Sequence, residues 1–248
     1  MHDLANKRVL VTGSTSGIGA AIADGFLRQG ASVCLHGSSA SRAPRRTDAG
    51  PRTAHFIPAD LSRRGAAQEL VVAAADLLGG LDVLVNNAGA NPARARLDES
   101  DDDLFDAVID LNLRSVAAAM RAAHPYLKAA GGGAIINTGS ASGRNGGPGG
   151  SGLYAAAKAG VQSLTRTAAK EFGPDNIRVN AVLPGIIETP FHAGLTADAR
   201  ASLSRATPLG RIGTPEDCVG VYLFLASASM SGFITGQSID VNGGFLIP

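Results

Sequence analysis

The stretch that decides the fold is RVLVTGSTSGIG, residues 8–19. Its opening, RVLVT, predicts a strand buried on both faces, because apolar and β-branched side chains follow one another with little polar alternation. A glycine-rich turn follows directly, and a helical pattern over residues 18–29 stops before Gly30. A strand, a glycine-rich turn and a helix in immediate succession are typical of the first βαβ unit of a parallel sheet.

The spacing of the glycines in this turn gives each of them a physical use. Gly13 permits the tight turn, Gly17 allows the backbone to approach a pyrophosphate, and Gly19 allows the helix to pack closely on the strand. The helix N-terminus adds free N–H groups and a positive dipole. A glycine cluster alone is a weak signal, since ordinary turns also use glycine, but its position at the first strand–helix junction strengthens it.

Short apolar runs and longer helical patterns alternate through the rest of the chain. They predict a single α/β domain over residues 1–248, with a doubly wound parallel sheet of about seven strands and helices on both faces. The predicted strands are residues 8–12, 32–36, 55–59, 82–86, 134–138, 177–182 and 237–241, and the predicted helices are residues 18–29, 62–78, 98–129 and 153–172.

Two segments interrupt this alternation. Residues 38–52 contain two prolines, a glycine and four arginines without an apolar stripe, which predicts a loop. Residues 186–213 follow the sixth strand and are predicted to form a small lobe over the strand ends, covering the substrate. Their side chains Phe191, His192, Leu195 and Leu203 indicate a pocket of mixed polarity.

Composition argues against several classes of function. The 248 residues are 45% apolar and 17% charged, so the chain is globular, and its formal net charge of +1 gives no reason to expect a nucleic acid or a membrane as partner. The apolar runs are too short to cross a bilayer, and the N-terminus does not resemble a secretory signal. Cys34 and Cys218 lack metal-ligand spacing, so we expect two buried thiols in a reducing, cytoplasmic compartment and no metal.

Further short motifs follow the glycine-rich turn in a fixed order. They are NNAG at 86–89, Asn112 within DLNLRSV, TGSAS with Ser140, YAAAK at 154–158, Pro184-Gly185, and IETP at 187–190. Together with TGSTSGIG, this series resembles the short-chain dehydrogenase/reductase family over essentially the whole chain. The resemblance implies a Rossmann-type fold, a nicotinamide dinucleotide and the interconversion of a ketone and a secondary alcohol.

YAAAK gains its meaning from this context. Tyr154 and Lys158 are four residues apart on a predicted helix, so they share one face. Alone, they would be interpreted as a buried tyrosine beside a lysine whose stem packs on apolar surface. Within the motif series, Tyr154 is the predicted general acid/base, and we expect the Lys158 ammonium to lower its pKa from about 10.

The resemblance assigns the other catalytic positions. Ser140 would hydrogen-bond the substrate oxygen, and Asn112 would bend its helix and hold a water in a proton relay with Lys158, which also binds the nicotinamide ribose. The spacing from Ser140 to Tyr154 is one residue longer than the family's usual spacing. GSASG matches the family's GSxxG pattern at Ser140, and Ser142 remains the alternative.

The cofactor would lie along the strand ends. NNAG is expected to contact the adenine ribose, Asp60-Leu61 the adenine, and Ile187 and Thr189 the carboxamide. Asp60 could equally cap a helix ahead of Ser62. The cofactor-binding residues predicted by the resemblance are Gly13, Ser14, Ser16, Gly17, Ile18, Gly19, Ser38, Asp60, Leu61, Asn87, Ala88, Gly89, Tyr154, Lys158, Pro184, Gly185, Ile187 and Thr189.

The choice between NAD and NADP depends on the end of the second strand. An acidic residue there would bind the ribose 2′-hydroxyl, but the sequence has Gly37 and Ser38. Arg42, Arg45 and Arg46 follow and could bind a 2′-phosphate, which favours NADP. Ser16 is neutral where relatives that prefer NADP often carry a basic residue, and the arginines could equally be a solvated loop.

Within the family, GSASG, PGIIETP and the ending ITGQSIDVNGG look most like 3-oxoacyl-[acyl-carrier-protein] reductases, although sugar, polyol and steroid dehydrogenases share them. A basic patch for an acidic carrier protein could comprise Arg94, Arg96, Arg114 and Arg121. A non-catalytic dinucleotide sensor or scaffold is the alternative of another class. The resemblance also implies a homotetramer, with the apolar C-terminus at 245–248 packed on a neighbouring subunit.

Overall fold

A computed structural model describes residues 2–42 and 54–247. Within them, a seven-stranded sheet has the order β3-β2-β1-β4-β5-β6-β7, and every neighbouring pair is parallel. Each strand coincides with a predicted one to within two residues. The strands are β1 (Arg8–Val11), β2 (Ser32–Gly37), β3 (Ala54–Pro58), β4 (Val83–Asn86), β5 (Gly133–Thr138), β6 (Ile177–Pro184) and β7 (Ser238–Val241).

Helices cover both faces of the sheet, as predicted. Alternate residues of the buried strands belong to two separate hydrophobic cores. Val9 and Val11 lie in the core on the side of α1 and α8, and Leu10 lies in the core on the side of α2, α4 and α6. The helices are α1 (Gly17–Gln29), α2 (Ala66–Leu78), α3 (Asp102–Ile109), α4 (Ser115–Ala129), α5 (Ser142–Asn145), α6 (Gly152–Phe172), α7 (Ala197–Ala206), α8 (Pro215–Ala226) and α9 (Ala228–Ser231). Cys34 and Cys218 are buried free thiols, one in each core, as expected.

The predicted helix over residues 98–129 is not one continuous α-helix. It is a 3₁₀ turn (Leu97–Glu99), then α3, a π-helical turn (Asp110–Arg114) and α4. The side-chain amide of Asn112 donates to the Val108 carbonyl at 2.9 Å. That carbonyl would accept the Asn112 backbone N–H in a regular α-helix, so the side chain stabilises the wider turn.

The helix predicted over residues 62–78 begins four residues later. The Asp60 carboxylate accepts hydrogen bonds from the Ser62 N–H (3.0 Å) and hydroxyl (2.6 Å), which holds a tight turn. Gly65 then adopts a left-handed conformation (φ +90°) as the residue preceding α2. The alternative role of Asp60 as a helix cap was therefore wrong, because its carboxylate stabilises a turn that precedes the helix.

The segment at 186–213 forms a 3₁₀ turn (Pro190–His192) and α7, and returns to the main body through a bridge between Ile187 and Gly213. The predicted loop at 38–52 is described only as far as Arg42, at the end of a 3₁₀ turn (Ala40–Arg42). The rest of that loop lies outside the described residues. Among residues 2–42 and 54–247, no helix is long and apolar enough to cross a membrane.

Candidate active site

A cavity of about 1160 Å³ runs along the carboxyl ends of the strands. It passes the switch point between β1 and β4, where strand order reverses and doubly wound sheets bind ligands. Its walls contain every predicted site residue except Ser14 and Asn112: Gly13, Ser16, Gly17, Ile18, Gly19, Ser38, Asp60, Leu61, Asn87, Ala88, Gly89, Ser140, Tyr154, Lys158, Pro184, Gly185, Ile187 and Thr189. One continuous cavity therefore brings the motif series together.

The glycine-rich turn is held from both sides. The Gly13 carbonyl accepts from the Asn87 side-chain amide at 3.1 Å, and Gly13 has a φ of +64°. A Cβ on Gly13 would lie 2.9 Å from the Ala88 Cα, so a larger residue would displace the NNAG backbone. The Thr12 hydroxyl accepts from the N–H groups of Asn87 (2.9 Å) and Ala88 (3.0 Å), which joins β1 to the end of β4.

The start of α1 suits a pyrophosphate. The first-turn N–H groups of Gly17, Ile18 and Gly19 have no acceptor within the helix, and the Ser16 side chain makes no capping bond. All three residues line the cavity, so the donors and the positive end of the helix dipole lie beside it. Ser14 is different: its hydroxyl accepts from the buried His36 N–H at 2.9 Å, which makes its side chain part of the support of the turn.

A second part of the cavity, away from the start of α1, lies beside the ends of β2 and β3. Ser38, Asp60 and Leu61 line it, and Leu61 is buried while Ser38 and Asp60 are exposed. The side chain of Arg42, and all of Arg45 and Arg46, lie outside the described part of the chain. The predicted adenosine-binding residues Ser38, Asp60 and Leu61 therefore meet in one part of the cavity, whereas the position of the arginine side chains relative to them is outside the described part of the chain.

Tyr154, Ser140 and Lys158 converge at the opposite end of the cavity. Tyr154 and Lys158 lie about one turn apart on the same face of α6, with only alanines between them in the sequence. The Lys158 Nζ is 5.6 Å from the centre of the Tyr154 ring. The Ser140 hydroxyl lies beside the Tyr154 hydroxyl, close enough to favour its ionised form. The Lys158 ammonium, only 2% exposed, donates to the Thr138 carbonyl at 2.9 Å. An ammonium has three donors, so two are available to a ligand in the cavity.

The pKa of Tyr154 departs from the expectation. Burial raises it to about 12, and the hydrogen bond with Ser140 opposes that rise. The predicted lowering is therefore wrong, because desolvation of the phenolate is the largest influence on its pKa and only Ser140 opposes it. Burial lowers the pKa of Lys158 to about 8. At pH 7 Tyr154 is therefore a protonated phenol and Lys158 an ammonium, the forms suited to giving a proton to a carbonyl.

Asn112 is buried behind the cavity wall. Its amide donates to the Ala90 carbonyl (2.8 Å), and its Oδ1 accepts from the Ala90 N–H (3.1 Å). A Cβ on Gly89 would lie 2.7 Å from this Oδ1 and 3.1 Å from the Lys158 Nζ, so the two polar groups flank the same glycine. The π-helical turn therefore fixes Asn112 against the NNAG loop and near Lys158.

The structure separates the two candidate serines. Ser140 follows β5 and contacts Tyr154, whereas Ser142 begins α5 and its N–H donates to the Ser140 Oγ at 3.1 Å. Ser142 also lines the cavity, but its contact is with Ser140 and not with the phenol.

Replacing Ser140 with alanine is expected to reduce kcat about 100-fold, because the predicted donor to the reacting oxygen would be lost. Ser142→Ala is the matched control and should change kcat less than about threefold, since its hydroxyl is not beside Tyr154. Steady-state rates of both variants with one ketone at saturating cofactor measure this. The reverse order of effects would assign the role to Ser142.

The substrate end of the cavity is walled largely by the segment at 186–213. Phe191 contacts Tyr154 with 5.6 Å between ring centres, and His192 contacts Phe191 at 5.1 Å. His192 Nδ1 donates to the Ile187 carbonyl at 2.9 Å, and burial lowers the pKa of His192. Leu195, Leu203 and, from the C-terminal segment, Phe245 also line this end. A pocket of mixed polarity therefore faces Tyr154, since apolar side chains lie beside His192 and Arg94 in its lining.

Sequence reasoning missed three residues that support the site. His36 has no motif that marks it. Thr138 opens the quoted TGSAS motif but was given no role; its carbonyl accepts from Lys158, and its hydroxyl lies 2.8 Å from that of the buried Tyr222. Thr12 belongs to the quoted TG motif, so its role as an acceptor for the NNAG backbone was within reach of the sequence.

Known proteins resemble the chain over nearly its whole length. A family profile described as enoyl-(acyl carrier protein) reductase matches residues 13–246. The cis-4-hydroxycyclohexanecarboxylate dehydrogenase of Sinomonas cyclohexanicum is 41% identical over 97% of each chain, and the 3-oxoacyl-[acyl-carrier-protein] reductase FabG of Thermotoga maritima is 39% identical over 98% of this chain and 99% of the relative. The crystal structure of the NADH-dependent reductase A1-R′ complexed with NAD has a TM-score of 0.87 at 39% identity, covering 100% and 99% of the two chains.

Fold, site and relatives together define an NAD(P)-dependent oxidoreductase that interconverts a ketone and a secondary alcohol. The chain belongs to the short-chain dehydrogenase/reductase family, as the motif series predicted. The Rossmann-type fold in one domain is likewise confirmed.

Proposed function

We propose that Tyr154 donates the proton to the substrate carbonyl during reduction and accepts it from the alcohol during oxidation. The observation that carries this is the meeting of Tyr154, Ser140 and a buried ammonium in one cavity, the ammonium having no carboxylate partner among residues 2–42 and 54–247. Ser140 polarises the same substrate oxygen, and Lys158 favours the phenolate that forms when the proton leaves. The dinucleotide supplies the hydride.

The remaining predicted residues hold the cofactor in this proposal. The N–H groups at the start of α1 bind the pyrophosphate, Lys158 binds ribose hydroxyls, and Ile187 and Thr189 face the carboxamide. Asn112 anchors the NNAG loop and connects Lys158 to water in the proton relay. The segment at 186–213 covers the substrate, since its side chains wall the cavity next to Tyr154.

We infer a preference for NADP over NAD. The sequence from Gly37 to Arg42 contains no carboxylate that would repel a 2′-phosphate, and three arginines lie at 42, 45 and 46. The NADH-dependent relative shows that this family scaffold also serves NAD, so the arginines carry the preference.

Measured by nicotinamide fluorescence at fixed ionic strength, NADPH is expected to bind roughly tenfold more tightly than NADH. Replacing Arg42, Arg45 and Arg46 together with alanine should remove that difference and leave NADH affinity unchanged. Arg63→Ala is the control for general charge, because Arg63 pairs with Glu69 on the surface. Equal affinities in the wild type would contradict the NADP preference and make the arginines a solvated loop.

The substrate is a ketone that carries an acidic group, in our proposal. Arg94 lines the substrate end of the cavity, and its exposed side chain forms no hydrogen bond or ion pair with the described residues. Arg96 pairs with Asp98 and Arg114 with Asp110, so two members of the predicted basic patch are already neutralised. Arg94 is therefore better placed to bind a substrate carboxylate, as suits a small oxo acid like that implied by the 41% identical relative.

Arg94→Gln is expected to lower kcat/KM for 4-oxocyclohexanecarboxylate about tenfold and to leave cyclohexanone unchanged, because only the acid uses the guanidinium. Arg96→Gln is the matched control and should affect neither ketone. Acetoacetyl thioesters test the acyl-carrier alternative in the same assay. Higher kcat/KM for the thioester, with no effect of Arg94→Gln on the acid, would favour the 3-oxoacyl reductase function over the small-acid proposal.

We also infer a homotetramer in the cytoplasm. Phe233 and Ile247 are large apolar side chains that are almost fully exposed, which supports subunit contacts near the C-terminus. Phe245 belongs instead to the cavity wall, so the C-terminal segment has more than the one predicted use. Light scattering on the purified protein tests the assembly.

A sensor without turnover, the alternative of another class, is opposed by the complete set of catalytic side chains.

A further inference from the structure

His36 occupies the end of β2, directly beneath the glycine-rich turn. Its side chain is 2% exposed and lies on the wall of the cavity. The Gly13 N–H donates to His36 Nδ1 at 2.9 Å, and His36 Nε2 lies 2.9 Å from the Ala59 carbonyl. The ring therefore bridges the turn after β1 and the end of β3.

Both partners of the ring are backbone groups with fixed roles, so the tautomer is determined. An amide N–H only donates, which requires a lone pair on Nδ1. A carbonyl only accepts, which requires the proton on Nε2. The neutral Nε2–H form satisfies both bonds, whereas the protonated ring would place two N–H groups against each other at Gly13.

The backbone of His36 holds the same turn. The Ser14 N–H donates to the His36 carbonyl at 2.9 Å, and the Ser14 hydroxyl accepts from the His36 N–H at 2.9 Å. With Asn87 on the other side, the turn is fixed between β2 and β4. Gly19 packs so closely on Gly13 that a Cβ on Gly19 would lie 2.2 Å from the Gly13 carbonyl oxygen. Because the two backbones are in contact, a movement of Gly13 would displace the start of α1.

We propose that His36 is a positioning residue for the dinucleotide, and that only its neutral form holds the glycine-rich turn in the conformation that binds the pyrophosphate. The inference rests on the proposed placement of the cofactor along the start of α1. It predicts a specific consequence: cofactor affinity falls in acid as His36 takes up a proton, without loss of the fold.

The charged groups near His36 keep their charge over the pH range in which a histidine titrates, so the fall in cofactor affinity is assigned to protonation of the His36 ring. The residues that contact it on the turn, Gly13 and Ser14, are uncharged. Asp60 follows its other partner Ala59, and hydrogen bonds from Ser62 lower the pKa of Asp60, so it stays ionised where a histidine titrates. On the approach to α2, Arg63 and Glu69 pair with each other. Burial lowers the pKa of His36 below its usual 6.5, which places the loss of affinity below that pH.

Two substitutions separate the two ring nitrogens. His36→Asn places an amide oxygen near the position of Nδ1 and keeps an acceptor for Gly13. His36→Gln places an amide nitrogen near the position of Nε2 and keeps the donor to Ala59, but leaves the Gly13 N–H unsatisfied. Neither residue titrates, and both retain one anchoring bond, so the pair isolates the bond to the glycine-rich turn.

The experiment is an NADH titration of full-length protein by nicotinamide fluorescence at several pH values between 5 and 8, with thermal unfolding of each variant as the fold control. NADH is used because the 2′-phosphate of NADPH titrates near pH 6 and would obscure the result. We expect wild-type affinity to fall with acid. His36→Asn should bind like the wild type at pH 8 and lose the acid dependence, and His36→Gln should bind roughly tenfold more weakly at every pH.

Three outcomes would overturn the inference. They are an unchanged acid dependence in His36→Asn, wild-type affinity in His36→Gln, or wild-type affinity that is constant across the range. A wild type that binds NADH at no pH would contradict the proposed function itself, and so the two failures are distinguishable. Folded His36→Asn and His36→Gln proteins that are equally weak would show that the ring's volume matters and not its bond to Gly13.

Discussion

Tyr154→Phe is expected to reduce kcat about 10³-fold in both directions while cofactor affinity changes less than about threefold. Phenylalanine retains the ring that contacts Phe191 and lacks only the hydroxyl beside Ser140. Because burial keeps this hydroxyl protonated at neutral pH, its removal takes away the proposed proton donor for the carbonyl. Initial rates of nicotinamide oxidation with one ketone, and Kd from nicotinamide fluorescence, measure the two quantities.

The matched control is Tyr126→Phe, a partly buried tyrosine on α4 that packs against the core away from the cavity. It should retain wild-type kcat. If Tyr154→Phe kept more than about a tenth of the wild-type rate, the proton would come from another group, and the proposed role of Tyr154 would be wrong.

Lys158→Met is expected to lower kcat about 100-fold, as much as Ser140→Ala. Methionine fills a similar volume but removes a buried ammonium that has no carboxylate partner among the described residues. Since the pKa of Lys158 is about 8, the charge is present at pH 7 and favours the phenolate. Without it the Tyr154 pKa rises further, so the increase of the oxidation rate with pH should move to higher pH.

A pH profile of alcohol oxidation distinguishes this electrostatic role from a structural one. Lys170→Met, at an exposed position on the same helix, is the control and should leave the profile in place. Lost activity in Lys158→Met with an unshifted profile would show that the lysine acts only by holding the Thr138 carbonyl or the cofactor.

The fold was predictable because strand order and burial follow from local pattern. The seven apolar runs were located to within two residues. Five of the strands, β1, β2, β4, β5 and β6, are buried between helices and show little polar alternation, whereas the edge strands β3 and β7 are only partly buried. The break at Asp110–Arg114 was not predictable as a helix geometry, because it depends on the Asn112 side chain binding the Val108 carbonyl. The resemblance implied a bend there, and the hydrogen bond supplies its cause.

The sequence predicted which residues form the site, but it did not predict the pKa of Tyr154 or the contact between His36 and the glycine-rich turn. Motif order brought Ser140, Tyr154 and Lys158 to one cavity. The pKa of Tyr154 could not be predicted, since the balance between burial and the nearby cation depends on depth in the folded protein. His36 has no motif, and only the folded arrangement of β1, β2 and β3 brings its ring under Gly13 and beside Ala59.

The most direct test of the central claim is a titration of the wild-type protein with NADPH and NADH, each followed by addition of a ketone. The chain contains no tryptophan, so reduced-nicotinamide fluorescence is observed against little protein emission. The structure predicts saturable binding at one site per chain and oxidation of the bound cofactor when ketone is added. Absence of binding by both dinucleotides would contradict the placement of the cofactor in this cavity and the proton transfer by Tyr154 that depends on it.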